Sequence, residues 1–115
     1  MVEGTRKFDR APLPIAAQCR RVNDMTPTWQ TIEVLDLSAE GVGFVINDFV
    51  EVGERVHIKL QLPMARACVE IFALVRQEQP SNDRVRVGAE FIDTTPEQRA
   101  AIDDLVQFLS KAPPS

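Results

Sequence analysis

The chain has no tyrosine, one histidine and two cysteines among its 115 residues. Cys19 and Cys68 are too few for a disulfide scaffold or a zinc site, so two reduced, buried thiols are expected. The single histidine, His57, falls at a polar position of an alternating segment, where a solvated ring is expected rather than a general base. Also missing are the Gly-x-Ser-x-Gly elbow, Cys-x-x-Cys, His-Glu-x-x-His and a phosphate loop. No enzyme mechanism can be assembled from what remains, and neither a metal nor a cofactor is expected. Apolar runs such as Ile71 to Val75 fall far short of the roughly twenty residues that span a bilayer, so no membrane insertion is expected. The opening residues, Met-Val-Glu-Gly-Thr-Arg, lack the apolar stretch of a secretory leader, which makes a cytoplasmic location the default.

What the chain does contain is ordinary globular material. Hydrophobic residues make up 44% and charged residues 26%, enough for one packed core in one domain. The net charge of −4 is unevenly spread. Residues 1–21 hold Arg6, Lys7, Arg10, Arg20 and Arg21 against Glu3 and Asp9, whereas the remainder carries eight basic and fifteen acidic groups. An acidic body of this kind lacks the extended basic face that DNA or RNA requires, although the basic end suits a small anion.

Hydrophobic alternation marks six candidate strands, at 13–22, 29–37, 42–46, 54–62, 67–78 and 84–91. The clearest has Val56, Ile58, Leu60 and Leu62 on one side and His57, Lys59 and Gln61 on the other. Residues 71–75 are apolar on both faces, so a cover for the outer face is expected there. The links are short and rich in turn residues, including Ser38 to Gly41 and Pro80 to Asp83, and cannot hold crossover helices; neighbouring strands must be antiparallel. An all-β fold follows, a six-stranded antiparallel barrel. Thr95-Pro96-Glu97-Gln98 reads as a capping box, and Ile102, Leu105, Val106 and Leu109 then recur at helical spacing, giving a C-terminal α-helix packed on the barrel. Asp103 and Asp104 fall on its solvated side. The expected organisation is a flexible basic arm over 1–12, the barrel and helix over 13–111, and a loose tail over 112–115.

Two motifs stand out. Arg6 and Arg10 form Arg-x-x-x-Arg, a pattern that ten arginines produce about once by chance. Asp36-Leu37-Ser38-Ala39-Glu40-Gly41 is Asp-x-Ser-x-x-Gly, whose chance expectation in this composition is on the order of 0.01. The second therefore carries information that the first lacks. In this order, with a basic arm before the first strand, Val87-Gly88-Ala89-Glu90-Phe91 late in the sheet and a terminal helix, the chain resembles the PilZ domain family across residues 5–110. Members of that family are receptors for the bacterial second messenger cyclic di-GMP.

The resemblance implies a barrel that binds the nucleotide on its outer surface beside the N-terminal arm. Arg6 and Arg10, with Lys7, are then candidates for the phosphates and guanine O6 and N7 edges, which a guanidinium fork fits bidentately. Asp36 would accept from guanine N1–H and N2–H, a choice that discriminates against adenine. Ser38 would face the same side as Asp36, and Gly41 would supply a positive φ and room for a base. Gly88 and Phe91 are read as structural, a close-packed strand position and a core aromatic, and Trp29 as a packing residue. Thr5, where the family has a further arginine in some members, favours one nucleotide per domain, although Lys7 keeps an intercalated pair open. The expected mechanism is that cyclic di-GMP orders the arm into a surface read by an unidentified downstream protein. A nucleotide-independent protein–protein adaptor is the alternative, and a flat local hairpin, with Asp36 and Ser38 bonding only nearby N–H groups, is the bland reading of the motif.

Overall fold

Alternating apolar residues close into a ring. The computed structural model describes residues 13–22, 28–62 and 68–111, and these form six strands and one helix. The strands are β1 (Ala17–Arg21), β2 (Gln30–Leu37), β3 (Gly41–Ile46), β4 (Arg55–Gln61), β5 (Cys68–Ser81) and β6 (Arg84–Ile92); α1 spans Pro96–Lys111. They are arranged β1-β2-β3-β6-β5-β4 in a closed barrel in which every neighbouring pair is antiparallel. Closure pairs each strand on both sides and removes sheet edges. The expectations on 1–12 and 112–115, including the arm, lie outside the described residues.

The inward side chains include Cys19, Ile32, Val34, Phe44, Val56, Ile58, Leu60, Ile71, Val75 and Val87, none more than 3% exposed. Both ends of the barrel are shut by chain that enters the same core. β3 and β4 lie diametrically apart in the ring, so the segment between them must cross one end, and Val50 within it is fully buried. At the other end α1 places Ile102 and Leu105 in the core, with Val106 and Leu109 packed beside them. The capping box forms as expected: Gln98 N–H donates to Thr95 Oγ1 (3.1 Å) and Thr95 N–H to Gln98 Oε1 (2.8 Å). Gln98 Nε2 also donates to the Glu70 carbonyl (2.7 Å), tying the start of the helix to β5.

Several details depart from the sequence reading. β5 runs on to Ser81, and its hairpin with β6 turns on Asn82 and Asp83 alone, with Asn82 at a φ of 58°. Pro80 and Ser81, expected in the turn, instead pair with Val85 and Arg84. No described residue buries the outer face at 71–75: Phe72 remains 42% exposed. Of the two thiols, Cys19 is buried, and burial, reinforced by Glu54, pushes it up to about 12. Cys68 is exposed and lies 3.1 Å from Gln61 Oε1, contrary to expectation.

Candidate functional site

Strict alternation along β2 from Ile32 and Val34 would turn Asp36 into the core. A bulge prevents this: Val34 pairs with Phe44 and Asp36 with Gly43, leaving Leu35 as the extra residue. The extra residue shifts the phase, so Val34 and Leu35 are both buried while Asp36 is exposed. The uneven alternation of 29–37 has this as its cause. A second bulge, at Arg76, lies between Val75 and Gln77 of β5.

Between the two bulges one outward row runs across four strands, Asp36 to Gly43 to Gly88 to Gln77. Its two central positions have no side chain. A Cβ on Gly43 would sit 2.8 and 2.9 Å from the Asp36 carboxylate oxygens, so the carboxylate lies across the space that this glycine leaves. A Cβ on Gly88 would touch only Gln77, at an ordinary 3.7 Å, so Gly88 is not the close-packed position expected but part of an open floor. One step along the same face, Val45, Arg86 and Gln79 form the next outward row. They line a groove of about 560 Å³ together with Leu35, Arg84 and the β5–β6 turn. Arg84 is steered there by Glu33 Oε1 (3.2 Å) and Asn47 Oδ1 (3.2 Å).

The rest of the Asp-x-Ser-x-x-Gly motif makes the turn. Ser38 N–H donates to the Gly41 carbonyl (2.9 Å), and Ser38 Oγ accepts from Glu40 N–H at 3.2 Å. The local bonding foreseen in the bland reading thus holds for Ser38, which is exposed. Gly41 corrects an expectation: among the described glycines a positive φ belongs to Gly53, not to Gly41. Gly41 is required because a Cβ there would lie 2.5 Å from the Ala89 carbonyl oxygen. The Phe91 N–H, donating to the Glu40 carbonyl (2.9 Å), holds the turn against β6. Phe91 is buried, as expected.

Arg6, Lys7 and Arg10 lie outside the described residues. Downstream of them, Leu13 N–H donates to the Val34 carbonyl at 2.7 Å, so the chain joins the barrel two residues from Asp36.

His57 is the clearest correction. It is 9% exposed rather than solvated, with Arg20 Nε donating to Nδ1 (3.2 Å) and Nε2 facing Glu70 Oε1 (3.2 Å). Its ring stacks on Phe72, centroids 4.7 Å apart, and tilts against Trp29 at 5.0 Å. Burial, aided by Arg20, holds its pKa below the usual imidazole range despite Glu70. Among the described residues no group of three His, Cys, Asp or Glu side chains could hold a metal ion, and no helix is long and apolar enough to cross a membrane.

Fold and face together describe a small closed barrel with a side-chain-free floor on its outer wall, beside the Asp36 carboxylate. The sequence matches the PilZ domain over residues 4–108, and the chain belongs to the PilZ domain family. No curated protein matches the sequence. Among solved structures the fold is similar to the PilZ domain with c-di-GMP of YcgR from Escherichia coli, at a TM-score of 0.67 and 16% identity over 89% of this chain and 87% of that one. It is also similar to the Bacillus subtilis inhibitor of motility MotI/DgrA (TM-score 0.60, 17% identity, 84% of this chain and 45% of that one). MrkH of K. pneumonia in its apo state matches with a TM-score of 0.66 and 14% identity, over 88% of this chain and 49% of that one. This chain therefore spans about half the length of the last two.

Gly43, Gly88, Gln77 and Arg86 were not singled out as site residues in the sequence. Their common signal is the pairing register, which puts them on one outward face beside Asp36.

Proposed function

We propose that this chain is a non-catalytic receptor for cyclic di-GMP that holds the nucleotide on the outer face of β2, β3 and β6. The observation that carries the reading is the Asp36 carboxylate lying over Gly43 at the edge of a floor of two glycines. A carboxylate there accepts from guanine N1–H and N2–H, and glycines let a planar base approach the backbone. Ser38 adds a hydroxyl on the same side, and Gly41 keeps the turn close to β6. Arg6, Lys7 and Arg10 reach the same face from the arm, which joins the barrel at Val34, and supply the positive charge that two phosphates need. Ordering of this arm on the ligand is the proposed signal to a downstream protein in the cytoplasm. With Thr5 before Arg6, one nucleotide per chain is the proposed stoichiometry.

Isothermal titration of the full chain tests this. Cyclic di-GMP is expected to bind with a stoichiometry near one, while GTP and cyclic di-AMP give no heat. Arg10→Ala should weaken binding about ten- to hundredfold, the equivalent of roughly 1–3 kcal/mol. Wild-type affinity in Arg10→Ala would exclude the arm from the site, and no heat with cyclic di-GMP would leave the nucleotide-independent adaptor.

A further inference from the structure

We propose that the outer face centred on His57, with Trp29, Arg20, Lys59 and Phe72, is a docking surface for an acidic segment of a partner protein. In the ring of six strands β4 lies opposite β3, and β1 opposite β6. This face, on β1, β4 and β5, is therefore on the far flank from the glycine floor, and its use goes beyond the nucleotide reading.

The face is prearranged. Arg20, His57 and Phe72 occupy one outward row of cross-strand partners. His57 is buried beneath its neighbours, yet Phe72, stacked on it with an interplanar angle of 25°, leaves 42% of its surface exposed. Lys59 Nζ lies 4.3 Å and Arg20 Cζ 5.1 Å from the centre of the Trp29 ring, on which both cations are steadied. Ordering these long side chains before contact lowers the entropy lost when a partner arrives, and aromatics with arginine are the residues that dominate interface energies.

Charge identifies the occupant. The outward positions of β1, β4 and the β4-paired part of β5 hold Arg20, Arg55 and Lys59 against one carboxylate, Glu70, in a chain whose net charge is −4. Glu70 faces His57, while Arg21 pairs with Glu54, Arg76 with Glu90 and Arg84 with Glu33. Acidic side chains placed beside an apolar one would meet Lys59 and Arg20 while covering Phe72. The closed barrel offers no edge for strand addition, so the partner must dock through side chains, as a helix or loop does. Three cations around a carboxylate are too few for nucleic acid, which needs an extended basic track.

Fluorescence anisotropy on the full chain without nucleotide tests the surface, using a fluorescein-labelled peptide of Glu-Glu-Leu repeats, a Lys-Lys-Leu counterpart and an oligothymidylate. The acidic peptide is expected to bind, more weakly as salt rises, and the other two are not. Phe72→Ala should weaken it about thirtyfold and Lys59→Glu about tenfold, while the control Phe49→Ala, at another exposed phenylalanine, changes nothing. Thermal melts of each variant separate lost folding from lost contact. Absence of binding by the acidic peptide, tighter binding of the oligothymidylate, or indifference to both Phe72→Ala and Lys59→Glu in folded protein would overturn the proposal. Each of these outcomes is read without cyclic di-GMP and leaves the nucleotide titration standing.

Discussion

On β2, β3 and β6 the outward row reads Asp36, Gly43, Gly88; on β1, β4 and β5 it reads Arg20, His57, Phe72. Both rows stand on the same inner core and obey the same period of two, so the barrel's stability constrains neither choice directly. The first row removes side chains and leaves a floor that a flat molecule can approach. In the second, large side chains stack on one another and leave only the topmost ring exposed. The emptied face offers open space over backbone, whereas the stacked face offers a preformed surface of side chains.

The sharpest way to break this contrast is to exchange nucleotide and stability readouts between the faces. Asp36→Ala removes the acceptor on the emptied face and is expected to weaken cyclic di-GMP by about ten- to hundredfold in titration calorimetry, or roughly 1–3 kcal/mol. Phe72→Ala, on the far flank, should leave that affinity unchanged. Equal losses in the two variants would mean that the flanks do not act separately.

The glycines of the emptied face should themselves divide by what surrounds them. Gly41→Ala drives a methyl against the Ala89 carbonyl, which is backbone and cannot step aside, so an overpacking loss of about 1–3 kcal/mol is expected in urea unfolding. Gly43→Ala meets the Asp36 carboxylate first, the end of a side chain that can rotate. Its stability should hardly change, while nucleotide affinity falls about tenfold as the carboxylate is displaced. A Gly43→Ala chain that binds as well as wild type would show that the carboxylate's position over this glycine has no bearing on the ligand.

How much of this was legible beforehand depended on whether the cause was local. β4 and β6 could be read from their alternation, and the helix start from Thr95 and Gln98, because each signal is complete within a few residues. Asp36 and Ser38 were legible as a motif, but the bulge at Leu35 that turns Asp36 outward was not, since it exists only relative to the register with β3. Gly88 looked like a packing glycine for the same reason: its neighbours Gly43 and Gln77 come from distant parts of the chain. His57 failed most plainly. Its polar position in the pattern implied water, while Arg20, Trp29 and Phe72, which cover it, arrive from three other segments.

The smallest expected effect belongs to the stacked face and tests whether it tolerates a charged ring at its centre. His57 has a folded pKa below its ordinary value, so around pH 6.5 and just below it the unfolded chain takes up more protons than the native one. Stability from this residue is therefore complete at about pH 7.5 and declines as the pH falls through about 6.5 toward 5. The groups facing the ring pull in both directions: Arg20 from β1 and Lys59 from β4 oppose the imidazolium, and Glu70 from β5 favours it. Burial, the largest influence, settles the sign. Asp48, held below its usual range chiefly by the Gln30 amide, acts in the same direction but in a more acidic window, as the pH falls toward about 4 and below. Urea midpoints measured at about pH 7.5, 6.5 and 5.5 should thus decline for the wild type and stay level for His57→Gln, which retains an acceptor for Arg20 but does not titrate. An undiminished decline in His57→Gln would place the titrating group elsewhere and show that the stacked face tolerates a charged ring at its centre.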